Sequence, residues 1–401
     1  MPDRKYWQQK LRDVTQLVPE VSAFAAFNTN IGAVVHLSPE LLLRAIDKSG
    51  ADLSTVERRA CDGLPATVAT PTDFLVVLRA ELAEGKSCHV VVEESLLPWI
   101  SDVFAECTES MGGQAGIIAN QMAALHAKSV VYTRLLSPQQ ARMFDERVLT
   151  PVVSDEGMVL TPVRDAAREA DEVKVNWIFE YAKGLSFQFG SETVTTPRAN
   201  RVIMATRPQG AVMAFSSEMD QHLSSLGKLI DVAFMAGYHY AAPEGNDGRD
   251  FASYMAYIQN TLGEMTRHHP DLRIHYEYVP LKHEVLECEV LRVVCDSVNS
   301  FGINENEIRR ALRKLGYAEL AEAIDVSERA YTLYQGALAL LNELKLDRLH
   351  LHNLGYYVVV VRKPYFASVS DVMDASLYAT ALNAIKAKYG GYPTSENLAE
   401  A

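Results

Sequence analysis

The sequence predicts an α/β protein: a parallel sheet flanked by helices, with a lid of antiparallel strands inserted into it. Three observations point there. From position 231 onward, short apolar stretches alternate regularly with helical ones. The run Met111-Gly112-Gly113-Gln114-Ala115-Gly116 puts three glycines within five residues, just ahead of an Ala-rich apolar stretch. Between 158 and 206 the pattern changes to the apolar–polar alternation of antiparallel strands.

Taken in order, residues 21–27 form an apolar strand that stops at Asn28. Stretches 39–47, 73–83 and 96–106 have helical spacing, and 89–92 is β-branched and strand-like. Gly112-Gly113 lets the backbone take positive φ and approach a ligand closely. A helix over 114–126 follows, and its first N–H groups suit an anionic or polar ligand. The other reading of this loop is a tight strand–helix turn with no ligand. A strand at 130–133 comes next. The insert is carried by Leu185-Ser186-Phe187-Gln188-Phe189 and by strand-like stretches 193–196 and 202–205. Strands at 231–235, 273–278 and 297–301 then alternate with helices at 251–267, 282–291 and 305–315. Strand–helix–strand repeats of this length imply parallel pairing, and ligands in such sheets bind beyond the strands' carboxyl ends. Asn28 and Asn30, His275 and Glu277, and Asn304 and Glu307 all sit at such ends.

The 401 residues, 48% hydrophobic, can bury one large core or two. The net charge of −13 and the lack of a Lys/Arg block argue against a nucleic-acid partner. No apolar run approaches ~20 residues and no signal-peptide core follows the N-terminus, so no membrane association is expected. Five cysteines without a CxxC pair read as reduced thiols of a cytoplasmic protein.

His275-Tyr276-Glu277 places His and Glu on one face of a strand. There Glu277 holds Mg²⁺, or the two form a salt-bridged pair on an exposed face. Asn304 reads as a helix N-cap, with Glu305 and Glu307 complementing the helix dipole. Lys174, Asn176, Lys183, Arg201 and Arg207 surround the insert. They either converge on a sugar phosphate or lie scattered on a solvated sheet. His350 and His352 share a strand face without the further ligands of a zinc site.

Together these pieces resemble the ADP-dependent sugar kinases, the glucokinase and phosphofructokinase group with a ribokinase-like fold. The resemblance runs from about position 21 to the C-terminus. It rests on Asn28-Thr29-Asn30-Ile31-Gly32, Gly112-Gly113-Gln114-Ala115-Gly116, Ile178-Phe179-Glu180-Tyr181-Ala182-Lys183-Gly184, Ala236-Gly237-Tyr238, His275-x-Glu277 and Gly302-Ile303-Asn304-Glu305-Asn306-Glu307, in the family's order. It implies a large domain of 1–30, 105–160 and 207–401, and a lid of 31–104 and 161–206. It implies a glycolytic kinase that takes a sugar or sugar phosphate and ADP with Mg²⁺. Asn28, Asn30, Gly112, Gly113, Gln114, Lys174, Asn176 and Arg207 would bind the sugar. Lys174, Asn176 and Arg207 resemble the phosphate ligands of the phosphofructokinase branch. His275, Glu277, Asn304 and Glu307 would organise the metal, and His352 and Tyr356 would face the nucleotide.

Two departures accompany the resemblance. Gly32 stands where the family has an acid that bonds sugar hydroxyls. The family's Gly-x-Gly-Asp, whose Asp is the general base, does not occur in these residues; Ser368-Val369-Ser370-Asp371 comes too early. No catalytic residue is therefore assigned. The chain ends short of the family's length, so it reads as a piece of an active kinase, or as a homologue that binds a phosphorylated small molecule without transfer or serves another reaction.

Overall fold

The computed structural model describes residues 4–353 and 355–400. Its main sheet has nine strands, in the order Tyr356–Val361, Arg348–Asn353, Ser300–Asn304, Arg273–Glu277, Val232–Ala236, Ser22–Phe27, Lys128–Tyr132, Leu149–Ser154 and Gly157–Pro162. All pairings are parallel except the outermost one at each edge. Ser22–Phe27 is central and buried along almost its whole length, which is why it reads as a continuous apolar run. On one face lies the helix Gln114–Ala124, whose Ala115, Ala119 and Ala123 pack with Ala25, Met111 and Val131. Small side chains let this helix approach the sheet closely.

A second sheet of six strands forms the lid: Thr67–Val68, Cys88–Val92, Asn200–Thr206, Val175–Tyr181, Asn30–His36 and Thr108–Gly112. It has its own core, in which Phe74 packs edge-on against Phe179 and against Trp99. Ala33, Val35, Trp177, Phe179, Val202 and Met204 point into that core. The alternate positions, among them Asn30, Gly32, Asn176 and Arg207, therefore share the opposite face.

The structure refines several expectations. The insert is antiparallel where Val175–Tyr181 meets Asn200–Thr206 and in the hairpin Ser186–Phe189/Glu192–Thr195. The lid sheet as a whole is mixed, because Asn30–His36 pairs parallel with Val175–Tyr181, and Cys88–Val92 parallel with Asn200–Thr206. The strand Thr108–Gly112 belongs to the lid sheet, inside the span 105–160 expected in the large domain. Gly157–Pro162 closes the edge of the large sheet, across the expected lid boundary at 161. The helix expected at 282–291 is Glu287–Cys295, after a single tight turn at Glu284–Leu286. The strand expected at 297–301 is Ser300–Asn304, because Ser297 still closes the preceding helix through its N–H to Val294.

Candidate functional site

The strand Ser22–Phe27 delivers Asn28 to the carboxyl edge of the large sheet, and Asn30 opens the first lid strand two residues later. Both side chains are buried. Gly113 has φ +78, and an added Cβ would collide with the Asn28 carbonyl oxygen; at Gly112 it would collide with Asn30 Oδ1. Here the glycines are needed for close backbone approach. The N–H of Ala115, in the first turn of the helix, donates to the Asn28 carbonyl at 3.1 Å, so this group is engaged by the fold rather than by a ligand. Gln114 Oε1 is buried without a hydrogen-bond partner.

Lys174, 3% exposed, donates through Nζ to Asn28 Oδ1 at 3.0 Å, which ties the lid to the large sheet. Nζ also lies 5.1 Å from the centre of the Tyr240 ring. The Arg207 guanidinium lies 4.7 Å from the same ring and donates to the Thr206 carbonyl at 3.0 Å. Among the described residues neither cation has an ion-pair partner. Burial, reinforced by the charge of Arg207, lowers the Lys174 pKa to about 7. Burial also holds His239 down to about 3, followed by the charges of Lys174, Arg207 and His89. Asn176, level with Gly32 on the neighbouring strand, has its Oδ1 buried and unpartnered. A pocket of uncompensated positive charge lined by amides is a receptor for an anion. Lys183 and Arg201 are exposed and stand outside it; Arg201 lines a separate lid-surface depression with His36 and Glu180.

Two strand spacings from Phe27, about 10 Å away, Glu277 stands at the same edge of the large sheet. His275 Nε2 lies 3.0 Å from Glu277 Oε2, and its Nδ1 lies 2.9 Å from Ser300 Oγ, to which Arg348 donates at 3.0 Å. Both imidazole nitrogens are thus engaged, and His275 orients Glu277 rather than offering a metal ligand. Gly302 makes this possible, since its Cβ would collide with Glu277 Oε2 and lie 2.8 Å from His275 Nε2. Burial opposes the charge on Glu277, yet the hydrogen bond from His275 and the charges of His275, His352 and His350 hold its pKa below the usual carboxylate value.

Asn304 is confirmed as an N-cap. Its Oδ1 accepts from the N–H groups of Asn306 and Glu307, and Glu307 Oε2 accepts from the Asn304 N–H at 2.9 Å. Asn304 is therefore a capping residue, with its amide oxygen already doubly engaged. Burial, then the charges of Glu277 and Glu305, raise the Glu307 pKa to about 7. Of the four expected metal residues, Glu277 and Glu307 keep carboxylate oxygens to offer. No cluster of three or more His, Cys, Asp or Glu at metal-holding distance occurs among the described residues.

His275 and Glu277 also line a cavity of about 620 Å³ with His350, His352, Arg348 and Phe366. Burial, followed by the charge of Arg348, pushes the His350 pKa down to about 3. Tyr356 is exposed at the hairpin beyond His352. The look-alike Ser368-Val369-Ser370-Asp371 is a capping box: Ser368 Oγ accepts from the Asp371 N–H, and Asp371 Oδ2 accepts from the Ser368 N–H at 2.9 Å. It opens the helix Val369–Tyr389, so Asp371 has a structural role.

Sequence reasoning missed Tyr240, His239, His89 and the orienting pair Ser300 and Arg348. His239 and Tyr240 follow Gly237 at a strand end, a signal that was available; the others are joined only by cross-strand pairing. All five cysteines are free, and no described helix is long and apolar enough to cross a membrane.

Comparison with known proteins accords with this geometry. The ADP-specific phosphofructokinase/glucokinase conserved region matches residues 21–392. The ADP-specific phosphofructokinase of Pyrococcus furiosus is 32% identical over 376 residues, which span 93% of this chain and 82% of that protein. The crystal structure of a hypothetical ADP-dependent phosphofructokinase from Pyrococcus horikoshii superposes with a TM-score of 0.84 at 30% identity, covering 95% of this chain and 85% of that one. An ADP-dependent kinase in complex with fructose 6-phosphate and ADPβS superposes with a TM-score of 0.81 at 29% identity, covering 99% and 82%. With its nine-stranded and six-stranded sheets, its glycine loop and its strand-end residues arranged as described, this chain belongs to the ADP-specific phosphofructokinase/glucokinase family.

Proposed function

We propose that this chain is an ADP-dependent kinase of a phosphorylated sugar of the fructose 6-phosphate type. The observation that carries the reading is the buried Lys174 beside Arg207 with no carboxylate partner for either. A buried cation of this kind costs stability unless an anion completes the site. Asn176 Oδ1 and Asn28 offer polar contacts to the rest of the sugar. The fructose 6-phosphate complex of a relative with a similar fold supports the same substrate class.

The nucleotide and Mg²⁺ belong at the carboxylate wall. Two partly buried carboxylates, Glu277 and Glu307, fit a hard cation that prefers oxygen and keeps several waters. Bound there, Mg²⁺ would neutralise nucleotide phosphate charge. His275, Ser300 and Arg348 keep Glu277 aimed, and the Asn304 N–H holds Glu307. His352 and Tyr356 are proposed to flank the nucleotide. The free cysteines accord with a cytoplasmic setting.

A second reading, binding without transfer, is favoured by Gly32, which offers no acceptor for a sugar hydroxyl, and by Asp371, which is engaged in a cap. Two measurements separate the readings. Calorimetry should show fructose 6-phosphate binding in preference to glucose. Arg207→Ala should weaken it about tenfold or more, because a hydrogen bond to a charged group is worth about 1.5–3 kcal/mol. A coupled assay with ADP and Mg²⁺ then decides on transfer. Turnover supports the kinase reading, and tight binding without turnover supports the second. Equal binding by wild type and Arg207→Ala would remove Arg207 from the site.

A further inference from the structure

One group in the positive pocket has no role in the substrate reading. His89 lies on the strand Cys88–Val92, level with Ile203 of the adjacent strand. It therefore shares the face that carries Arg207 at that strand's end. Its Nε2 is 3.1 Å from an Arg207 Nη2. A guanidinium only donates, so Nε2 is the acceptor, and the neutral ring carries its proton on Nδ1. Positive groups meet His89 from three sides: Arg207 after Asn200–Thr206, Lys174 ahead of Val175–Tyr181 and Lys282 in the loop after Arg273–Glu277. His239, beside Tyr240, is held neutral by burial, and the paired strand Thr67–Val68 brings no charge. The ring is open to solvent, yet crowding and then the charges of Arg207, Lys174 and Lys282 lower its pKa. None of its neighbours named here is a carboxylate. A phosphate dianion entering the pocket reverses the sign of the local field.

We propose that His89 is a third phosphate ligand of the lid, an acceptor for Arg207 in the empty pocket and a protonated donor once the substrate phosphate is bound. This rests on the substrate reading above. The proton reaches Nε2 from solvent, the freed Arg207 N–H turns to the phosphate, and no substrate bond is made or broken. Substrate binding is thereby coupled to proton uptake, and affinity falls as pH rises.

The test is calorimetric titration of fructose 6-phosphate between about pH 6 and 8.5, in buffers of different ionisation heat, with wild type, His89→Gln and Arg207→Ala. Gln Oε1 can accept from Arg207 but cannot take up a proton, so His89→Gln keeps any role in positioning Arg207. The titrations of the phosphate and of Lys174 are common to wild type and His89→Gln, so their difference isolates His89. Wild type should take up more protons than His89→Gln, by up to one, and bind about tenfold tighter at the acid end. Identical proton uptake and pH slope in these two proteins, with Arg207→Ala still weakened, would show that His89 only positions Arg207; the substrate reading would survive. Absence of fructose 6-phosphate binding by wild type would overturn the substrate reading and this inference together.

Discussion

The lid pocket and the carboxylate wall each gather charge of one sign, and they hold it in opposite ways. Lys174 and Arg207 are held by neutral partners: an Asn oxygen, a backbone carbonyl, an imidazole and a tyrosine ring. Glu277 is held by a relay of donors running from Arg348 through Ser300 and His275, and Glu307 by a backbone N–H. The cations are left without a counter-charge, whereas the carboxylates are aimed and partly neutralised. The pKa shifts mirror this. Burial takes Lys174 down to about 7, and burial takes Glu307 up to about 7, so these two groups are each biased toward the neutral form until a ligand of opposite charge arrives, whereas Glu277 stays charged.

The largest effect should come from Lys174→Met. Fructose 6-phosphate binding should weaken by about 1.5–3 kcal/mol, while the ligand-free protein becomes more stable, because a buried unpaired charge is gone. The sign is fixed by the lowered pKa: below about 7 both folded and unfolded chains are protonated and the penalty is complete, and it is relieved as pH rises from about 7 toward the unfolded value of 10.5. The gain in melting temperature over wild type should therefore shrink on going alkaline. A variant that binds normally would break the contrast between the two regions.

Gly302→Ala tests the other side. Forcing a Cβ against Glu277 and His275 should cost about 1–3 kcal/mol of stability and weaken Mg²⁺-dependent nucleotide binding, with fructose 6-phosphate affinity unchanged. Thermal melts and paired titrations read both. A loss of sugar-phosphate affinity as well would mean that the two regions are coupled rather than separate.

Next comes pH. Glu307 has a raised folded pKa, so the folded chain retains a proton between the ordinary value of 4.5 and about 7, and Mg²⁺ must displace it. Mg²⁺-dependent nucleotide affinity should rise across that window, and Glu307→Gln should flatten the rise and lower the affinity about tenfold above it. This is the reverse of the dependence proposed for the phosphate pocket. Parallel slopes in the two titrations would contradict it.

The smallest change is expected from Gly32→Asp. A Cβ there would sit 3.6 Å from Ile178 Cδ1 and 3.8 Å from Ser110 Oγ, which is ordinary contact, so the new side chain meets no steric clash. The new carboxylate would add an acceptor on the ligand-facing side and should improve binding of the hydroxyl-bearing part of the sugar. No change in binding would place position 32 away from the ligand.

The sequence by itself determined the large sheet and most of its edge. The apolar run ending at Asn28, the glycine pair and the strand–helix alternation after 231 are local patterns, because strand burial and helix capping depend on neighbours in sequence. Asn304 was legible as a cap for that reason. What lay hidden depends on partners far apart in the chain. Only the pairing of Asn30–His36 with Thr108–Gly112 moved that strand into the lid. Only strand pairing brought Ser300 and Arg348 to His275, turning a possible metal ligand into an orienting residue. Only the close packing of lid against sheet set Arg207 and Lys174 over Tyr240, with His89 against Arg207. Secondary structure follows from periodicity within a segment, but the charge state and the role of a side chain follow from what surrounds it in space, which no single segment contains.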